Sequence, residues 1–167
     1  MPYKHKQIDA NLQAHLRTMR REAVAGYTSL IQELMADLPA LVITITHKKE
    51  SYHWEQSGKV RRHWLNGLNK RLYGSHYDRR GEGLISFFSF EYQNRGTVHQ
   101  HGVIAGQALE GIHRQPLWTE LSDMAQGSCK VELPRNRERS IRYCVKYMAK
   151  EGDVDYWLPG SMRATIF

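Results

Sequence analysis

The chain predicts an α+β fold, on three observations. Two β-prone runs, Leu84–Gln93 and Thr97–Ala105, are separated by Asn94-Arg95-Gly96, a hairpin-length loop with glycine placed for a left-handed residue. Helical periodicity recurs on both sides of that hairpin. At 167 residues the chain is long enough to bury a sizeable core in one domain, and it has no internal repeat, low-complexity tract or linker.

The elements follow in order. Asp9 caps a long helix to about Leu38, with Leu12, Leu16, Met19, Leu30, Ile31 and Leu34 as its apolar positions. Gly26 is a candidate break within it, and Pro39 separates it from a strand at Leu41–Thr46. Gln56–Leu72 reads as a helix with Trp64, Leu65, Leu68 and Leu72 inward. Its basic residues, Lys59, Arg61, Arg62, Lys70 and Arg71, are candidate DNA contacts or an ordinary solvated face. Tyr77–Gly83 is a polar loop.

In the hairpin, the loop length pairs Gln93 with Thr97 and Glu91 with His99. Directly paired residues share a face, and His101 lies two residues beyond His99 on that same face. Ser89, Gln93 and Thr97 join them there. Phe88, Phe90, Tyr92, Val98 and Ile104 point the other way and form the core, which leaves Glu91 and the histidines on the open side. Pro116–Met124 is a short helix and Ser128–Leu133 a strand. Arg139–Glu151 is a helix with Gly152 as its stop. At roughly 100° per residue, Tyr143, Lys146, Tyr147 and Lys150 share one of its faces. Ile141, Cys144, Val145 and Met148 occupy the other.

These groups suit phosphoryl transfer. One carboxylate and two neutral imidazoles hold a divalent ion and leave positions for water and phosphate oxygens. The plainer alternative is two surface histidines beside an acid, and a one-residue slip in register would send Glu91 to the wrong face. A phenol, with a pKa near 10, is a weak nucleophile at neutral pH unless the phosphate is polarised and nearby lysines stabilise the charge. Attack on a DNA phosphodiester gives a phosphotyrosine and a free 3′ hydroxyl, and the bond energy is kept for rejoining. The plainer alternative for the tyrosines is packing at a helix–sheet boundary. No G-x-x-x-x-G-K-[ST] phosphate loop is present, so nothing points to a nucleotide-driven motor.

His99-Gln100-His101 with upstream Glu91, followed by Tyr143-Cys-Val-Lys146-Tyr147-Met-Ala-Lys150, resembles the HUH endonuclease superfamily. The two-tyrosine spacing is most similar to rolling-circle replication initiators of small single-stranded DNA phages and related plasmids. Leu41-Val-Ile-Thr-Ile-Thr-His47 resembles their first strand motif. The resemblance spans residues 40–150 by motif order and spacing. It implies a single HUH endonuclease domain over residues 1–167, with an N-terminal helical segment at about 1–38. It implies a central antiparallel sheet flanked by helices, in a ferredoxin- or RRM-like arrangement, with the tyrosine helix over the metal.

By the same resemblance, Glu91, His99 and His101 are the ligands of Mg²⁺ or Mn²⁺. Tyr143 and Tyr147 are alternating nucleophiles, and Lys146 and Lys150 accompany them. The implied partners are single-stranded or origin hairpin DNA and a host replication helicase. The implied setting is the cytoplasm of a bacterial host, with a plasmid or phage as the source. The family's middle position in the histidine motif is usually hydrophobic and here is Gln100, which points to the opposite face and puts core packing there in question. Paired tyrosines favour replication initiation or a two-tyrosine transposase over a single-tyrosine enzyme. A transposase or relaxase remains the alternative within the class.

Composition agrees. The formal charge of +7 and pI of about 9.5 fit a polyanionic partner, as they fit ribosomal and RNA-binding proteins. Arg135, Arg137, Arg139 and Arg142 lead into the tyrosine helix, placed to grip backbone phosphates. Trp54, Tyr156 and Trp157 are candidates to stack on bases, or structural. Cys129 and Cys144 form no C-x-x-C, and Cys144 falls on the buried stripe, so neither a disulfide framework nor a cysteine zinc site is indicated. Without a signal peptide or a spanning apolar run, a soluble intracellular protein with no membrane partner is expected. Two other classes use the same features less fully. A non-catalytic single-strand-binding module needs neither the metal trio nor the tyrosine helix. A cupin-like hydrolase needs a further carboxylate after His101, which Gly102-Val103-Ile104-Ala105 does not supply.

Overall fold

The computed structural model describes residues 10–48, 54–92, 97–151, 154–160 and 162, with side chains described for all of these except 10–14, 54 and 149–151. The expectations for Asp9, the side chains of Leu12, Trp54 and Lys150, the loop from Gln93 to Gly96, and Gly152 lie outside the described residues. In chain order the elements are α1 (Ala10–Met35), β1 (Ala40–His47), α2 (Trp54–Tyr73), β2 (Ile85–Tyr92) and β3 (Val98–Ala105). A short 3-10 turn (Gln107–Leu109), α3 (Arg114–Ala125), β4 (Gly127–Glu132), α4 (Arg137–Glu151) and β5 (Val154–Trp157) complete them.

All strand pairs are antiparallel, in the order β4-β1-β3-β2-β5. The run β1-α2-β2-β3-α3-β4 is a ferredoxin-like βαββαβ unit. Strand β5, which the sequence pattern does not reveal, extends the sheet beyond β2.

Both faces of the sheet are covered. On one, α2 and α3 pack Trp64, Leu68, Leu117 and Leu121 against Leu41, Ile43, Ile45, Phe88 and Ile104. On the other, α1 and α4 pack Ile31, Met35, Ile141, Val145 and Met148 against Ile85, Phe87, Val103 and Ala105. The expectation of a core on the Phe88 face alone is therefore corrected. Burying each such side chain contributes about 1.5–3 kcal/mol, and a sheet with apolar residues on both faces has to bury both. Among the described residues that cover stops short of β4, whose Ser128, Lys130 and Glu132 are exposed on the second face, and the polar end around Glu91 and the histidines lies under the tyrosines of α4.

Helix α1 runs unbroken through Gly26. A mid-helix glycine costs about 1 kcal/mol, less than the packing on either side of it supplies. Its inward stripe is Thr28, Ile31 and Met35 with the partly buried Val24, whereas Leu16, Met19 and Leu30, three of the apolar positions read from the sequence, are exposed. After it Ala36 takes a left-handed φ of 36°. Arg137, at the start of α4, donates to the carbonyls of Ala36 and Leu38, which fixes the two helices to each other. That bond corrects the expectation that Arg137 faces phosphates.

Gly102 occupies the β3 position opposite Phe88, and a Cβ added there would come far inside van der Waals contact with two Phe88 ring carbons. Gly102→Ala is expected to destabilise the protein by about 1–3 kcal/mol, because the ring has nowhere to move in a packed layer. Urea unfolding midpoints check this. An unchanged midpoint would mean that the layer repacks.

Candidate metal centre and tyrosine helix

The hairpin register is the one the loop length predicts. Glu91 pairs with His99, and Ser89 with His101. Alternation then puts Glu91, His99 and His101 on one face, where their ligand atoms lie within 4.8 Å of one another. His101 Nε2 is 3.1 Å from Glu91 Oε2. Strand β1 contributes from the other side: Thr46 pairs with His99, and its Oγ1 lies 3.4 Å from His99 Nδ1. Engaging one ring nitrogen leaves the other for the trio, which is how a neighbouring polar group fixes a ligand's orientation. The sequence shows Thr46 only as a member of a strand motif, because its role depends on cross-strand register. Ser89, fully buried, donates to the His101 carbonyl at 3.3 Å and holds that residue from below.

Behind the trio, on the opposite face, lies a buried polar chain. His47 Nδ1 is 3.2 Å from the Ala125 carbonyl, which can only accept, so Nε2 must accept from Ser57 Oγ, at 2.6 Å. Gln100 Nε2 donates to Ser57 Oγ and to the Ser57 carbonyl, and Gln100 Oε1 accepts from Arg61 Nη1 at 2.9 Å. Arg61 also pairs with Asp155 and stacks over the Phe88 and Phe90 rings. Burial pulls its pKa down to about 10, which still leaves it charged at neutral pH.

Gln100 is therefore no packing defect. Its amide is satisfied on both sides, and this anchors the strand between the two histidines to α2 and β5. The same network corrects the reading of Arg61 as a DNA contact, since the side chain is 1% exposed. Arg71 is tied to Glu120 and Arg62 to Asp155. Lys59 and Lys70 are exposed, on the helix layer away from the trio. Trp157 packs on Tyr77, while Tyr156 is exposed and stacks on Phe87.

Helix α4 lies over the trio. Asn136 Oδ1 accepts from the Arg139 amide at 2.8 Å, a side-chain cap that starts the helix two residues earlier than the sequence pattern suggests. Ile141, Cys144, Val145 and Met148 are buried as expected, and burial pushes the Cys144 thiol up to about 12, which makes it inert.

The two tyrosines differ. Tyr143 is 47% exposed and meets the His101 ring edge-on, with centroids 5.0 Å apart. Tyr147, expected to face outward, is 8% exposed and stacks on His101 at 4.9 Å. It sits one helical turn on, roughly 40° nearer the buried arc, which suffices to turn it onto the sheet. Its hydroxyl donates to the Tyr143 hydroxyl at 3.2 Å, and that bond, then burial, raise its pKa. Lys146 lies over the Tyr147 ring at 5.5 Å. The backbone of Lys150 is in the same helix.

Burial lowers the pKa of both His47 and His101, partly offset by the Ala125 carbonyl and by Glu91 respectively. A lowered pKa means that the folded state resists protonation, while the unfolded chain takes up protons near 6.5. Stability present above that pH is therefore lost as pH falls below it. In chelator, the melting temperature is expected to drop between pH 7.5 and 5.5, and His47→Gln should flatten the slope. A melting temperature that stays level over that interval would contradict the burial argument.

Fold and site together define a class: an α+β protein whose sheet presents a Glu-His-His donor set beneath a helix bearing two tyrosines. A carboxylate oxygen and two imidazole nitrogens at this separation fit a divalent ion with open positions. The family model for the replication-associated protein ORF2/G2P matches residues 40–152, most of the chain, and the chain belongs to that family. Membership supports a role in initiating DNA replication. No curated protein and no solved structure matches the chain at a significant level. Among the described residues no helix is long and apolar enough to cross a membrane.

Proposed function

We propose that the protein nicks and rejoins single-stranded DNA through a 5′-phosphotyrosine intermediate, as a two-tyrosine HUH initiator of rolling-circle replication. The observation that carries this reading is the contact of both phenols with His101, a member of the donor trio. A nucleophile and a phosphate-binding centre within one ring's reach are what in-line attack requires. When bound by Glu91, His99 and His101, a divalent ion, Mg²⁺ or Mn²⁺, supplies Lewis acidity at the scissile phosphate.

The chain's own residues do the rest. Tyr143, the exposed phenol, attacks phosphorus first. A Tyr143 O–P bond forms, the P–O3′ bond breaks, the phenolic proton is lost, and the departing 3′ oxygen takes up a proton. Tyr147 donates its hydroxyl proton toward the Tyr143 oxygen and so stabilises the charge that develops there. Lys146 adds positive charge at the same edge, and Lys150, a helical turn further along, is assigned the same role. Rejoining is the reverse attack by a 3′ hydroxyl. Tyr147 serves as the second nucleophile: it attacks a second phosphodiester while Tyr143 still holds the first, and the 3′ hydroxyl so released attacks the Tyr143-bound phosphate and frees that phenol.

The test is a denaturing-gel adduct assay on single-stranded origin oligonucleotides. A protein–DNA band should form with Mg²⁺ or Mn²⁺, resist boiling in detergent and vanish in chelator. Cleavage that leaves both ends free of protein would remove the phosphotyrosine from the account.

A further inference from the structure

Helix α1 lies before the family match, which begins at residue 40, yet it builds a feature beside Tyr143. A groove of about 490 Å³ runs between α1 and α4, with Arg20 and Arg21 on one wall and Arg139, Arg142 and Lys146 on the other, and Tyr143 borders it. All five cations are exposed, and among the described residues no carboxylate lines the groove. Among the described residues, none of the five is ion-paired.

Holding five like charges around one cleft raises the energy of the free protein, and an anion relieves it. On the α4 wall Arg139, Arg142 and Lys146 are spread over two turns of helix, about 10 Å at 1.5 Å per residue, which suits a chain of phosphates better than a single one. Its one aromatic edge is the phenol that also touches His101.

We propose that this groove is the track for the DNA backbone on one side of the nick, with α1 supplying a wall that the family-matched region lacks. Single-stranded DNA as the ligand rests on the nicking function proposed above. The phosphates flanking the scissile one lie between the two arginine walls, and the strand enters the centre past Tyr143. Duplex DNA would have to bring a second backbone against the apolar outer side of α1, where Leu16 and Met19 are exposed, so the unpaired strand is the better fit.

The experiment is equilibrium binding of a fluorescent single-stranded oligonucleotide in chelator, where no cleavage occurs, across a salt series. Arg20→Ala/Arg21→Ala should weaken binding on the order of ten-fold and reduce the salt slope by about 1.4, the value for two lost single-strand phosphate contacts. Arg139→Ala/Arg142→Ala, on the opposite wall, should do the same. Lys59→Ala/Lys70→Ala removes the same charge from α2, on the far helix layer, and should leave affinity within about two-fold. Melting temperatures verify that each variant is folded.

Equal losses in the α1 and α2 variants would reduce the effect to net charge and overturn the proposal, as would no loss in the α1 variant. If the wild-type protein binds with this pattern but never forms an adduct, the nicking account fails and the groove stands. If adducts form and the contrast is absent, the groove alone fails.

Discussion

A Tyr143→Phe/Tyr147→Phe protein is expected to form no covalent adduct while binding single-stranded DNA within about three-fold of wild type, since phosphate contacts supply most of such affinity. Phenylalanine keeps the rings that pack on His101 and removes only two hydroxyls. The singles should separate the roles. Tyr143→Phe removes the exposed nucleophile, and its first-cleavage rate should fall by at least about 10³-fold, near 4 kcal/mol of activation free energy. Tyr147→Phe removes one neutral hydrogen bond of about 0.5–1.5 kcal/mol, so first cleavage should slow by only about two- to ten-fold. Its larger defect should appear in strand transfer, where a second phenol is needed. Single-turnover kinetics with a labelled oligonucleotide read both steps. A Tyr143→Phe protein that cleaves at the wild-type rate would assign the first attack to Tyr147. A double variant that still forms adduct would end the tyrosine mechanism.

Sequence reasoning succeeds where local rules decide the outcome. Hairpin register follows from loop length and alternation, and both are local, so Glu91 opposite His99 is legible in the sequence. The tyrosine helix follows from its apolar spacing at Ile141, Cys144, Val145 and Met148. It fails where two local answers are equally good or where the deciding partner is distant. Helix α1 has two apolar stripes, and only its contact with α4 selects Val24, Ile31 and Met35 over Leu16, Met19 and Leu30. Arg61 looks like a surface cation because Asp155, which pairs with it, is 94 residues away on a four-residue strand too short to register as a pattern. Gln100 looks like a fault for the same reason: Ser57 and Arg61, which satisfy it, reach it only through the fold. The basic groove is half legible. Arg139 and Arg142 stand out as phosphate contacts, but the α1 wall requires knowing which side of that helix meets α4.

Substitutions in the donor trio should have the second large effect, and the choice of variant decides what they mean. His101 is 7% exposed and packs against both tyrosines, so His101→Ala opens a cavity and weakens the fold as well as the centre. His99 is only partly buried, and Glu91→Gln keeps an oxygen to face His101 Nε2. His99→Ala and Glu91→Gln therefore test ligation with less structural cost. Each is expected to lower Mn²⁺ affinity by more than about 100-fold, beyond the 10–100-fold typical of residues that merely support a ligand. Each should reduce cleavage below detection while oligonucleotide binding in chelator persists. Titration calorimetry or the Mn²⁺ spin-resonance signal gives the affinity, and circular dichroism the fold. A purely packing role for these side chains predicts the opposite pattern: lower melting temperatures, strongest for His101→Ala, with metal affinity unmoved. Because His99→Ala removes little packing, unchanged Mn²⁺ binding in that protein would dissolve the centre, and the phenols above His101 would have no activated phosphate to attack.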